Sequence, residues 1–261
     1  MIFTMDVGNT NIKMGLFEGE KMVRYWRLAT NRTSTSDEYG ILVSSLFQNS
    51  HLEMGDVRGI IVSSVVPTVN FTVEHMCNDY FGLIPMFVMP GVRTGMNILY
   101  ENPQALGSDR ICNAVAALAE YGSPCIFIDF GTATTFGVIN EKGSFAGGCI
   151  CPGIKIASEA LVQGTSKLPN FELVWPESVI GRNTISNLQS GMLYGFVGQV
   201  EYLIHRMKKE LGAEARVVAT GGMARMIASK TQAIDCIDGL LTLKGLRLIY
   251  ERNLDTARGG N

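Results

Sequence analysis

Apolar runs with alternating polar positions open the chain and predict three successive strands. Residues 2–5 form the first run, residues 11–17 alternate loosely before a turn at Glu18-Gly19-Glu20, and residues 21–28 form another extended run. Alternation with a period of two, interrupted by glycine-containing turns, is typical of antiparallel hairpins. The start of the chain therefore predicts a strand, a turn, a strand, a turn and a strand.

Helices and further strands follow the hairpin. The sequence at Thr35-Ser36-Asp37-Glu38 is typical of a helix start, with Ser36 or Asp37 as the predicted cap. Residues 59–66 are a continuous apolar strand, which Pro67 ends. A helix over about 69–81 and a strand over 85–89 complete a predicted βββαβαβ order for residues 1–90.

The second half of the chain repeats this beginning. An apolar strand from Pro124 ends in Asp129-Phe130-Gly131, and two more extended runs follow over 136–140 and 144–150. Asp6 and Gly8 correspond to Asp129 and Gly131 at the same offset. The remaining predicted elements are helices at 154–162 and about 183–211, a strand at 215–219 that enters Thr220-Gly221-Gly222, and a packed C-terminal helix within 240–250. We therefore predict an α/β protein of two duplicated halves that face each other across a cleft.

The stretch Asp6-Val7-Gly8-Asn9-Thr10-Asn11 is a candidate phosphate site. Gly8, like Gly131, lets backbone amides approach a phosphate, and Asn9, Thr10, Thr132 and Thr134 add short donors. A P-loop or a dinucleotide fingerprint would place a helix after the glycines, whereas here a strand follows. The carboxylates of Asp6 and Asp129 fit a cation, because polyphosphate arrives with Mg²⁺. The alternative is that these Asp residues only cap turns.

Two further stretches complete the candidate chemistry. Gly221 and Gly222 follow a strand and leave room for adenine or ribose against the backbone at a helix start. Gly107-Ser108-Asp109-Arg110 comes directly before an apolar helix predicted over 111–121. Asp109 can serve as the base that takes a proton from an acceptor hydroxyl, and Arg110 can bind an anionic group. Asp109 can also be a plain helix cap.

Composition and charge narrow the function classes. The 261 residues are 46% hydrophobic and 18% charged, and the formal net charge of −2 argues against a nucleic-acid partner. We predict no membrane span and no signal peptide, because no apolar run approaches about 20 residues. Six cysteines are scattered along the chain and predict reduced thiols in the cytoplasm. No second cysteine pair completes a metal site at Cys149-Ile150-Cys151.

Five motifs in order resemble the type III pantothenate kinases. They are residues 5–11 (MDVGNTN), 107–110 (GSDR), 129–135 (DFGTATT), 181–184 (GRNT) and 220–222 (TGG). The resemblance extends from Met1 to about Asn253. It implies two ribonuclease-H-like domains of the actin-like ATPase type, which we place at 1–117 and 118–261. It also implies a homodimer.

The resemblance implies ATP-dependent phosphorylation of pantothenate to 4'-phosphopantothenate, the first step of coenzyme A biosynthesis. By this likeness ATP is bound by Asp6, Val7, Gly8, Asn9, Thr10, Asn11, Ile12, Lys13, Thr132, Gly221 and Gly222, with Mg²⁺ at Asp6. Asp129 is implied to bind a monovalent cation, K⁺ or NH₄⁺. The implied pantothenate residues are Tyr100, Gly107, Ser108, Asp109, Arg110 and Thr184, with Asp109 as the proton acceptor.

Some features leave alternatives open. Family members usually have Ala in place of Ser108 and often Lys in place of Arg182, and a Lys on a strand, as at Lys13, is often simply solvated. A sugar or small-alcohol kinase would share both acidic turns but lack the 107–110 pattern. A non-catalytic regulatory relative would have lost the base, yet Asp109 is present.

Overall fold

The computed structural model describes the backbone of residues 1–258 and the side chains of residues 1–254. It divides into two compact units. Unit 1 comprises Met1–Met96, Tyr100–Ala116 and the residues from Leu240 onward. Unit 2 comprises Asn97–Leu99 and Ala117–Gly239. No helix in the described part of the chain is long and apolar enough to cross a membrane.

Unit 1 contains a mixed five-stranded sheet. Its elements in chain order are β1 (Ile2–Val7), β2 (Asn11–Glu18), β3 (Lys21–Ala29), α1 (Ser36–Asn49), β4 (Gly59–Ser64), α2 (Asn70–Phe81), β5 (Met86–Phe87) and the start of α3 (Ser108–Tyr121). The strand order is β3-β2-β1-β4-β5, in which β1 pairs antiparallel with β2 and parallel with β4. The predicted βββαβαβ order is therefore confirmed.

Alternation along β1 assigns its residues to opposite faces of the sheet. Phe3, Met5 and Val7 pack in a core that includes residues of α1 and α2. On the opposite face, Cys112 and Val115 of α3 pack in a second core, which also contains Ile61 of β4. Thr4 and Asp6 point to this second face because they alternate with the first set. The period of two thus brings a carboxylate toward α3.

The first helix is capped one residue earlier than predicted. Thr35, not Ser36 or Asp37, is the N-cap of α1 and forms a capping box with Glu38. The Thr35 Oγ1 accepts a hydrogen bond from the Glu38 backbone N–H at 3.2 Å, and the Glu38 carboxylate accepts one from the Thr35 N–H at 2.7 Å. Glu38 stands three residues after Thr35, which is the spacing that this reciprocal pair needs.

Unit 2 repeats the sheet topology of unit 1. Its elements are the end of α3, β6 (Cys125–Phe130), β7 (Ala133–Ile139), β8 (Phe145–Pro152), α4 (Ile154–Gln163), α5 (Thr184–Leu211), β9 (Arg216–Thr220), α6 (Ala224–Ala228) and β10 (Cys236–Ile237). The strand order β8-β7-β6-β9-β10 matches that of unit 1 strand for strand. In register, Asp6 lies beside Ser63 and Asp129 lies beside Thr220. The predicted duplication is confirmed by this shared topology.

Unit 2 also contains two short elements and one long core helix. The helix expected after Gly222 is present as α6 but has only five residues, and the two-residue strand β10 was not predicted because it is too short to show a periodic pattern. The apolar residues of α5, among them Leu193, Phe196 and Val200, are buried in the core of unit 2. A core helix therefore accounts for most of its apolar arc.

The last helix, α7 (Leu241–Arg258), packs on the sheet of unit 1. Leu243, Leu246 and Ile249 lie in the same core as Cys112 and Val115. The compact units therefore differ from the predicted 118–261 domain at this segment. An amphipathic helix pattern specifies an apolar face but does not say which sheet that face covers.

Candidate functional site

The first candidate turn joins β1 to β2 within unit 1. The Gly8 N–H donates to the Asn11 carbonyl at 3.0 Å, and a Cβ at Gly8 would lie 3.1 Å from that oxygen. Two residues after β3 brace the turn: the Thr30 hydroxyl donates to the Gly8 carbonyl at 2.6 Å, and Arg32 donates to the Asn9 side chain at 2.9 Å. The turn is short, glycine-containing and held from one side, with Thr10 at its exposed tip.

Asp6 and Lys13 face each other across the β1–β2 pair that supports this turn. They are Cα partners in the antiparallel register, and the Lys13 ammonium lies 3.5 Å from the Asp6 carboxylate. The Asp6 side chain is 9% exposed and that of Lys13 is 25% exposed. Lys13 is therefore an ion-paired residue beside the turn and not a fully solvated strand lysine. Ile12, the second residue of β2, is buried in the core.

The segment Gly107-Ser108-Asp109-Arg110 is the N-terminus of α3, not a stretch that precedes it. The helix starts at Ser108, three residues earlier than predicted. The Gly107 carbonyl accepts the N–H groups of Arg110 and Ile111. Asp109 Oδ1 accepts the Arg110 N–H at 2.8 Å and lies 2.6 Å from where a Cβ at Gly107 would be. A side chain at position 107 would displace this carboxylate from its place.

Arg110 is buried beside the ring of Tyr100. Its side chain belongs to a residue that is 5% exposed, and its guanidinium lies 5.9 Å from the centre of the Tyr100 ring. A cation over an aromatic face is attracted by the ring quadrupole. Two of the predicted pantothenate residues therefore lie together in unit 1.

The buried thiol of Cys112 lies near both the Asp6 and the Asp109 carboxylates of unit 1. Burial raises the pKa of Cys112 well above its usual value, and the negative charges of Asp6 and Asp109 raise it further. Both carboxylates are therefore within electrostatic range of one side chain. Unit 1 by itself brings the end of the first turn and the candidate base to the same face of the sheet.

The second candidate turn lies in unit 2, between β6 and β7. The Gly131 N–H donates to the Ala133 carbonyl at 3.1 Å. Gly221 has a φ of +93°, and a Cβ there would lie 2.5 Å from Asp129 Oδ1. The backbone after β9 therefore packs directly on the Asp129 carboxylate, and Gly222 continues it toward α6. Since α6 has only five residues, it offers no extended helix dipole to a nucleotide.

Gly153, the N-cap of α4, packs against the second turn, and the sequence did not predict this contact. A Cβ at Gly153 would lie 2.1 Å from the Thr132 carbonyl oxygen and 2.7 Å from that of Gly131. The start of α4 is thus pressed against the carbonyls of the turn. The only signal in the sequence is a Pro-Gly pair between a strand and a helix, which is common at element boundaries.

The remaining predicted residue, Thr184, is the exposed first residue of α5. Asn183 caps this helix by accepting the Ser186 N–H at 2.9 Å. A Cβ at Gly181 would lie 2.6 Å from the Asn187 backbone nitrogen, so the GRNT stretch folds back on the helix start. Thr184 is therefore at the N-terminal end of a 28-residue helix.

The donor sets differ in which cation they suit. Asp129 lies near the end of β6, and its carboxylate is close to Gly131 and to the backbone of Gly221, so it could hold a cation together with backbone oxygens of the turn. Asp6 offers one carboxylate, which suits Mg²⁺ that keeps phosphate and water as its other ligands. Within residues 1–254, three or more His, Cys, Asp or Glu side chains nowhere gather as a metal cluster.

Comparisons with known proteins point to one family. Residues 2–206 match the family model of type III pantothenate kinase. A type III pantothenate kinase of Bacillus cytotoxicus is 53% identical over 253 residues, which cover 97% of this chain and 97% of that protein.

Solved structures share the fold at low sequence identity. A protein from Campylobacter jejuni, described as a putative Baf family transcriptional activator, aligns with a TM-score of 0.61 at 19% identity, covering 97% of this chain and 99% of that one. A putative N-acetylmannosamine kinase from Listeria monocytogenes aligns with a TM-score of 0.50 at 14% identity, covering 97% and 99%. This likeness agrees with the predicted duplicated actin-like fold.

Proposed function

This chain belongs to the type III pantothenate kinase family and phosphorylates pantothenate with ATP in coenzyme A biosynthesis, and we propose which of its residues do so. The observation that carries the proposal is the placing of Asp109 in unit 1. Its carboxylate stands in the first turn of α3, on the face of the sheet to which Asp6 points. A proton acceptor and a phosphate turn on one face are the two parts that the transfer requires.

Asp109 is the proposed general base. It takes the proton of the pantothenate primary hydroxyl as the oxygen attacks the γ-phosphorus of ATP and the bond to the β-phosphate oxygen breaks. The Arg110 N–H holds one carboxylate oxygen at 2.8 Å, which fixes the orientation of the group. An oriented base of this kind contributes roughly 10²- to 10⁴-fold to the rate.

The first turn is the proposed phosphate cradle. Backbone N–H groups of residues 8–11 approach the β- and γ-phosphates, with the side chains of Asn9 and Thr10 as additional donors. Lys13 supplies a positive charge beside this turn, at 3.5 Å from Asp6. Negative charge that develops on the transferred group is stabilised by such fixed donors, which need no rearrangement during the reaction.

Pantothenate carries a carboxylate and an amide, and the residues at the start of α3 suit both. Arg110 is the proposed partner of the carboxylate, because a buried guanidinium binds an anion more strongly than a solvated one. Tyr100 holds the guanidinium through its ring. Gly107 and the backbone of Ser108 complete the contact surface, and Thr184 is a further proposed contact.

Cations complete the proposed site. Asp6 would hold Mg²⁺, and Asp129 would hold K⁺ or NH₄⁺ together with the carbonyls of the second turn. Bound there, these ions would supply positive charge to phosphate oxygens. Thr132 is the proposed phosphate contact in unit 2. Gly222, where an added Cβ would meet no atom within 4 Å, leaves open backbone for the adenosine, and Gly221 beside it is a further proposed contact.

We also propose a homodimer in the cytoplasm, without a nucleic-acid or membrane partner. The dimer is supported by exposed apolar residues in unit 2, among them Ile150, Val179, Ile180, Ile185 and Tyr202. The cytoplasm is supported by six cysteines that are all free thiols.

A substrate panel tests the function. Purified protein is incubated with ATP, Mg²⁺ and either pantothenate or one of several sugars, with and without K⁺, and ADP release is followed. We expect ADP release only when pantothenate is the acceptor, and a higher rate of release when K⁺ is present. ADP release with a sugar would favour a sugar kinase of the same fold, and no release with any acceptor would favour a regulatory relative.

A further inference from the structure

Three buried side chains link the start of α3 to the end of β4 within unit 1. The Ser63 and Ser108 hydroxyl oxygens lie 2.9 Å apart, and the Ser108 hydroxyl donates to the Ser64 carbonyl at 3.2 Å. Ser63 also hydrogen-bonds Cys112, one turn further along α3. Ser63 and Cys112 are fully buried and Ser108 is 8% exposed.

The hydrogen atoms in this cluster can be assigned by counting donors. A carbonyl only accepts, so the single hydrogen of Ser108 goes to Ser64. The Ser63 hydroxyl then donates to the Ser108 oxygen. The hydrogen bonds therefore run from Ser63 through Ser108 to the Ser64 carbonyl.

These hydrogen bonds connect the two parts of the proposed catalytic site. Ser63 is the Cα partner of Asp6 in the parallel β1–β4 register, and Ser108 is the residue before Asp109. A shift of the first turn of α3 would move the Asp109 carboxylate with it. The carboxylate accepts the Arg110 N–H and lies close over Gly107, so both of its contacts are within that turn. A base that is displaced by about 1 Å from its aligned position slows the reaction strongly.

We propose that Ser108 is a positioning residue, which holds Asp109 at a fixed place relative to Asp6 through its hydrogen bond with Ser63. Its hydroxyl hydrogen is committed to protein and does not contact pantothenate. The inference rests on the proposed role of Asp109. It is a separate statement from that role, because Asp109 can be the base whether or not Ser108 positions it.

The test compares Ser108→Ala, Ser63→Ala and the double variant with the wild-type enzyme. We expect each single variant to lower kcat about tenfold while the KM values for ATP and pantothenate stay within twofold. The double variant should lose no more than either single variant, because both remove the same link. Ser63→Ala changes nothing in α3 and keeps the test open if Ser108→Ala fails to fold.

Thr242→Val is the matched control. The Thr242 hydroxyl lies 2.8 Å from the side-chain oxygen of Asn113, so this buried pair also holds α3, but one turn beyond Asp109. We expect it to lower the melting temperature about as much as Ser108→Ala and to leave kcat unchanged.

Other outcomes overturn the proposal. A Ser108→Ala variant with wild-type kcat, or losses that add up in the double variant, would exclude positioning through Ser63. A raised KM for pantothenate in Ser108→Ala alone would mean that the hydroxyl contacts substrate. Asp109→Asn, assayed alongside, separates the two levels: if it keeps normal turnover, the proposed base fails, whatever the serines do.

Discussion

The Lys13 ammonium lies 3.5 Å from the Asp6 carboxylate, directly across the β1–β2 pair that ends in the first turn. The antiparallel register makes this contact unavoidable, since the two residues are Cα partners on one face of the sheet. A cation and an anion therefore stand together where the first turn begins. Their pairing offsets part of the cost of burying each charge.

Lys13→Met tests whether the ammonium also serves ATP. We expect kcat/KM for ATP to fall roughly 10- to 100-fold, as for the loss of one hydrogen bond to a charged group. The KM for pantothenate should change little. Steady-state kinetics measures both, and Lys21→Met, at the exposed start of β3, is the control. Unchanged ATP kinetics in Lys13→Met would exclude the lysine from the phosphate site.

Gly221→Ala tests the close packing on Asp129. The added Cβ would lie 2.5 Å from the carboxylate oxygen, at a φ of +93° that alanine adopts poorly. We expect a loss of about 1 kcal/mol or more in the free energy of unfolding, and weaker ATP binding. Urea unfolding and calorimetric titration measure the two effects. In the control Gly239→Ala the added carbon meets no atom within 4 Å, so the free energy of unfolding and the ATP affinity should not change.

Asp129→Ala tests the monovalent cation site. Without the carboxylate, the carbonyls of the second turn alone should not retain K⁺, so the variant should lose activation by K⁺. Initial rates are measured against KCl, with tetramethylammonium chloride keeping the ionic strength constant. Asp238→Asn, a change at a buried acid bonded to Tyr121 in the same unit, should keep the K⁺ response. An Asp129→Ala enzyme that still responds to K⁺ contradicts the assignment.

The cap of α1 gives a test of the fold itself. Thr35→Ala removes the side-chain acceptor of the Glu38 N–H and should cost about 1 kcal/mol of stability. Ser36→Ala, at the first helical residue, should cost much less. Chemical denaturation measures both values. Equal losses, or a larger loss in Ser36→Ala, would argue against Thr35 as the cap.

Much of the fold could be predicted from the sequence because alternation with a period of two is strong in β1, β2 and their counterparts β6 and β7. The similar turns after Asp6 and Asp129, each at the end of such a strand, predicted the duplication. Boundaries were less certain: Thr35, Ser36 and Asp37 are all good caps, so composition could not choose among them.

The rest depended on contacts between distant residues. Ser63 and Ser108 are 45 positions apart, and nothing in either segment predicts that their hydroxyls meet. The burial of Arg110 and the docking of α7 on unit 1 are likewise decided by packing. Gly153 can pack against the second turn because it has no side chain, and a single glycine leaves no distinctive pattern in the sequence.

The rate of Asp109→Asn at saturating ATP, pantothenate and K⁺ tests the central claim most directly. The amide keeps the size of the carboxylate and an oxygen for the Arg110 N–H, so the fold and ATP binding should be preserved, as calorimetry and the melting temperature would show. We predict that kcat falls by roughly 10²- to 10⁴-fold. Turnover close to that of the wild-type enzyme would show that Asp109 is not the base.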